Sequence, residues 1–135
     1  MRAQIGLLLV ALTAAAGCAA STPSAAADTT DSPIPATDVR ANGRAACVAV
    51  RKVTDTYAGD ILGFSGERLT TRTQQWSAAI GRAARGADDT VLRTALLSLA
   101  DVVRGWAVRP PDRTKIRGFQ NDLEVACRPF LTNSS

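Results

Sequence analysis

The sequence predicts an all-α domain, an up-down-up-down four-helix bundle closed by one disulfide. Three observations carry that expectation. Apolar residues make up 46% of the chain while aromatics make up 4%, so the core is built mainly from Ala, Leu and Val, a composition that favours helices. From about Asp38 onward, apolar residues recur at steps of three and four in four stretches separated by three short breaks. Two cysteines, Cys47 and Cys127, stand in the first and the last of these stretches.

The first helix is expected from Asp38 or Asn42 to Leu62, with the stripe Ala46, Val50, Val53, Tyr57, Ile61. Gly63 suits the position just past its end, where a positive φ is wanted. Ser65 is an N-cap for the second helix, and Glu67 faces the positive end of its dipole. Leu69, Thr73, Trp76, Ile80 and Ala83 form its stripe, and Gly86 ends it. Asp88 is the expected cap of the third helix, whose stripe of Leu92, Ala95, Leu96, Leu99, Val102, Val103 and Trp106 is the widest in the chain. Arg109-Pro110-Pro111 stops it, because proline has no N–H to donate and disfavours α geometry in the residue before it. Asp112 caps the fourth helix, with Ile116, Phe119, Leu123, Ala126, Cys127 and Phe130 on one face and Pro129 marking its end or a kink. Connections this short make consecutive helices antiparallel neighbours, which brings the start of the first beside the end of the fourth.

The N-terminus carries an address. Met1-Arg2 is a basic start, and Ile5 to Ala16 is an uncharged apolar run. A membrane-spanning helix needs roughly 20 apolar residues, so this run reads as the core of an export signal. It leads into Leu12-Thr13-Ala14-Ala15-Ala16-Gly17-Cys18, which resembles the lipobox of bacterial lipoproteins, with Ala15 where that family usually has Leu. By this signal, which covers residues 1–18, the protein resembles the small Ala- and Arg-rich lipoproteins of actinobacteria. The resemblance implies removal of residues 1–17, a diacylglycerol on the Cys18 sulfur, a fatty acyl group such as palmitate on the new amino terminus, and anchorage at the extracytoplasmic face of the cell membrane. Ala25-Ala26-Ala27 offers an alternative cut that would yield a secreted protein. Beyond Cys18 itself, residues 18–37 are Ala, Ser, Thr, Pro and Asp with Ile34 the one large apolar side chain, the composition of a disordered tether reaching about 25 Å; residues 38–135 are expected to be the bundle.

Outside the cytosol, Cys47 and Cys127 are most simply a disulfide. Closing a loop of about 80 residues contributes at most about 4–5 kcal/mol in the chain-entropy account. The register poses a question. A first helix begun at Asp38 puts Cys47 about 13 Å along it, deeper than a partner near the end of the fourth helix would need. A start at Asn42-Gly43, or an overhanging first turn, reconciles the two.

Functional chemistry is sparse. The chain has no His, hence neither the commonest metal ligand nor the commonest general base. No phosphate-binding glycine loop follows a strand, and the two glutamates, Glu67 and Glu124, are not paired in sequence. An enzyme is not expected, nor a metal or other cofactor. Tyr57, Trp76 and Trp106 lie on apolar stripes and read as core. There are 16 Lys+Arg against 12 Asp+Glu, and all the basic residues but Lys52 and Lys115 are arginine. Arg68, Arg72 and Arg82 share one face of the second helix with no carboxylate among them, and Arg85 lies beside them. They are the candidate contact with an anionic envelope component or a protein partner. Nucleic acid is not expected, since aromatics do not interleave with the arginines. The function so indicated is a non-catalytic binding or scaffolding module anchored in the envelope. The alternative is a carrier with a small apolar ligand or lipid between its helices.

Overall fold

The computed structural model describes residues 33–132. The expected signal, Cys18 and the expected tether as far as residue 32 lie outside them. The compact unit begins at Pro35 and holds four helices: α1 Ala36–Ile61, α2 Gly66–Arg85, α3 Thr90–Gly105 and α4 Arg113–Leu131. Each helix packs on the next in the chain, α2 against α3 most extensively, and α4 closes back on α1. This is the expected all-α up-down-up-down bundle.

The helix starts follow local chemistry, with two corrections. α1 begins at Ala36, ahead of both Asp38 and Asn42, because Pro35 supplies a carbonyl that accepts from the N–H groups of Asp38 (2.9 Å) and Val39 (3.1 Å). A proline just outside a helix costs nothing, since the N–H it lacks would have no partner there. α3 is capped by Asp89, whose carboxylate accepts from Leu92 N–H at 2.8 Å, and not by Asp88. Asp88 instead accepts a hydrogen bond from the Asn42 amide of α1. Asp112 caps α4 as expected, accepting from Lys115 N–H at 2.8 Å. Ser65 occupies the N-cap position of α2 but makes no side-chain cap bond. Among the described residues, the glycine with positive φ is Gly66 (57°), the first residue of α2, and not Gly63. Pro129 neither ends nor replaces a turn of α4, which runs on to Leu131. The carbonyl that loses its partner belongs to Val125, on the solvent side of the helix, where water can meet it.

The α1–α4 seam settles the register. The Arg40 guanidinium donates to the Thr132 carbonyl (2.6 Å), Gly43 faces Phe130, and Cys47 is bonded to Cys127 with Cα atoms 5.7 Å apart. The turn before Arg40 overhangs the end of α4, so Cys47 lies deep in α1 and still meets Cys127. Helix α1 therefore runs straight through Asn42-Gly43.

The buried stripes are close to those expected. On α1 they comprise Gly43, Ala46, Cys47, Val50, Thr54, Ala58 and Ile61, with Val53 and Tyr57 half-buried. On α2, Ala84 is buried in place of Ala83, and Ser77 and Gly81 join the inner face. On α3, Ala100 is buried and Val102 is exposed. Small residues on α2 let α3 approach closely, and the Ser77 hydroxyl donates across the seam to the Ala100 carbonyl at 2.8 Å.

Candidate functional site

The centre of the bundle is occupied by its own side chains. Tyr57 of α1, Trp76 of α2, Trp106 just after α3 and Phe119 of α4 meet there. Ring centroids lie 5.5 Å apart for Trp76–Trp106, 5.2 Å for Trp76–Phe119 and 5.6 Å for Trp106–Phe119, in the tilted and edge-on geometries that aromatic pairs favour. Tyr57 stacks on Trp76 at 6.2 Å. Trp76 is wholly buried, and its indole N–H has no hydrogen-bond partner. The Thr54 hydroxyl is also buried without one. It lies at the floor of a groove of about 290 Å³ between α1 and α4, rimmed by Arg51, Asp55, Gln120 and Glu124.

The three arginines singled out in the sequence do not form one patch. Arg68 is exposed, with its guanidinium 4.2 Å above the centre of the Phe64 ring. Arg72 is half-buried, 5.0 Å from the Tyr57 ring centre and 5.8 Å from that of Phe64, and it pairs at 3.6 Å with Asp60 of α1. The carboxylate missing from α2 is thus supplied by α1. Such a partly exposed ion pair contributes at most about 1 kcal/mol, and each cation–π contact about as much. Arg72 accordingly belongs in part to the α1–α2 packing.

Arg82 stands about 15 Å further along the axis of α2 than Arg72. It is exposed in a groove of about 420 Å³ between α2 and α3. Ser77, Ala78, Gly81 and Ala100 line this groove together with Leu97, and Arg85, Arg104 and Asp101 complete it. The Arg85 guanidinium reaches back over Gly81, 3.7 Å from where a Cβ would stand. Arg104 is paired with Asp101 at 2.8 Å. Among the described residues, neither Arg82 nor Arg85 has a carboxylate within 4.0 Å. Arg104 was not legible as a member of this group, because it comes from a different helix. The small side chains at Ser77, Ala78 and Gly81 were the available hint of a furrow.

Among the described residues, no three of His, Cys, Asp and Glu converge as a metal site would require, and no helix is long and apolar enough to cross a membrane. No family model matches the chain, and no curated protein or solved structure is similar to it.

Proposed function

We propose that the protein is a lipid-anchored, non-catalytic binding module of the cell envelope, meeting an anionic component or an acidic partner through the arginines of α2. The observation that carries this reading is the contrast between interior and surface. Trp76, Trp106 and Phe119 fill the space between the helices, while Arg68 and Arg82 stand in solvent on α2. A carrier of an apolar ligand would need room where those rings stand. The anchor rests on the lipobox-like Leu12–Cys18 segment. Two acyl chains bind membranes firmly where one binds marginally.

The test begins at Cys18. The native protein should partition into the detergent phase, its N-terminal peptide should carry the mass of a diacylglyceryl cysteine, and Cys18→Ala should move it to the aqueous phase. A mature chain beginning at Asp28 would overturn the anchored reading.

A further inference from the structure

We infer that the α2–α3 groove is a binding site for a phosphate ester, held by Arg82 and Arg85 and bordered by the Arg104–Asp101 pair. This rests on the reading of the domain as a binding module and names the chemistry of its ligand.

Charge is the first argument. The groove brings together three guanidiniums from two helices and one carboxylate. That carboxylate is taken up by Arg104, so Arg82 and Arg85 keep their charge unneutralised by any described acidic group. Both sit in the last turn of α2, where they complement its dipole. That explains why basic residues are tolerated there. Arg85 leans back over Gly81, as helical side chains ordinarily do, and glycine there leaves its guanidinium room on the groove.

Shape is the second. Beside the guanidiniums, the small residues Ala78, Gly81 and Ala100 leave the furrow open, and Ser77 presents no unmet hydroxyl because it is bonded to the Ala100 carbonyl. The volume is enough for a phosphate and a short glycerol-like stem. Leu97, 41% exposed, offers an apolar wall for such a stem.

Stoichiometry of donors is the third. A carboxylate offers one edge of two oxygens to a guanidinium fork, whereas a phosphate monoester, with three, offers a separate edge to each of two forks. Two unpaired guanidiniums on one groove call for an anion with more acceptor oxygens, which a phosphate has. The Arg68–Arg72 region lacks this arrangement, since Arg72 already has Asp60 and both arginines lie against aromatic rings.

A lipid headgroup and a soluble phosphate ester share this chemistry, and the experiment separates them. The mature protein in a non-ionic detergent is titrated with glycerol 1-phosphate, and in parallel with phosphatidic acid, a lipid with the same phosphate monoester, mixed into the micelles. The Nε–H resonances of its arginines are followed by NMR. Those of Arg82 and Arg85 should shift saturably while those of Arg113 and Arg117, exposed on α4, stay in place. Tighter binding in the lipid arm identifies a headgroup, and equal binding identifies a soluble ester. R82Q/R85Q should weaken binding at least tenfold, and R113Q/R117Q, at two exposed arginines of α4, should bind as the wild type does. Ala78→Glu is the second variant. It places a carboxylate one turn before Arg82, a spacing that supports the helix, so the fold is kept while the site is filled from within; binding should be lost. The glycerol phosphate arm needs no anchor, so its outcome is independent of acylation at Cys18. No saturable shift at Arg82 and Arg85 with either probe, or unchanged binding by both R82Q/R85Q and Ala78→Glu, would overturn the assignment.

Discussion

The ring of Phe130 stands where a side chain at Gly43 would begin: a Cβ there would lie 2.3 Å from one ring carbon and 2.5 Å from the next. Glycine in mid-helix ordinarily costs about 0.5–1 kcal/mol relative to alanine. Here overpacking costs more, about 1–3 kcal/mol. Gly43→Ala should therefore destabilise the bundle by about 1 kcal/mol net, read from denaturant midpoints. In the Phe130→Ala background the same change should be neutral or stabilising. A stabilising Gly43→Ala in the wild-type background would contradict the close approach.

The Cys47–Cys127 bond ties α1 to α4 across 80 residues of chain. Removing a native disulfide from a small domain typically costs about 2–5 kcal/mol. In a domain of this size that lowers Tm by more than about 10 °C. The pair Cys47→Ser and Cys127→Ser, or reduction of the wild type, should do so. Peptide mapping without reductant should recover the linked pair.

Among the described residues, two buried side-chain polar atoms lack partners, the Thr54 hydroxyl and the Trp76 indole N–H. An unsatisfied buried group of this kind costs about 1–3 kcal/mol. Thr54→Val keeps the shape and removes the hydroxyl, so it should raise Tm. Trp76→Phe loses ring volume but also removes the unpaired donor, and should cost well under the roughly 3–5 kcal/mol of Trp76→Ala. A loss of stability in Thr54→Val would show that the hydroxyl has a partner in solution.

The caps divide by geometry. Asp89→Ala and Asp112→Ala should each cost about 1 kcal/mol, because each carboxylate accepts a backbone N–H of the following turn. Ser65→Ala should cost a few tenths at most, since Ser65 makes no such bond.

These residues also mark how far the sequence could be read. The four helices were legible because each apolar stripe repeats at helical spacing, and three- and four-residue steps cannot lie on one face of a strand. Asp112 was legible because the prolines before it leave one place for the helix to start. Asp88 and Asp89 are adjacent acids, and only the contact of Asn42 with Asp88 separates their roles. Gly43 looked like a helix start because its reason for being glycine, the Phe130 ring, lies at the other end of the chain. The arginine face was half legible for the same cause. Helical spacing aligned Arg68, Arg72 and Arg82, while Asp60 of α1 and Arg104 of α3, which divide them into two environments, belong to other helices.

The central claim is that the packed bundle meets an anionic component through its arginines, and vesicle binding tests it most directly. A chain starting at position 18 with Cys18→Ser carries no acyl anchor to mask the contact. Its co-sedimentation with anionic and with zwitterionic phospholipid vesicles should be compared at low salt and at 0.15 M, where exposed charges are screened beyond about 8 Å. The account predicts binding to the anionic vesicles alone, falling with salt and weakened when Arg68, Arg72 and Arg82 are all replaced by Gln. Equal, salt-insensitive binding to both kinds of vesicle, unchanged by those substitutions, would contradict it.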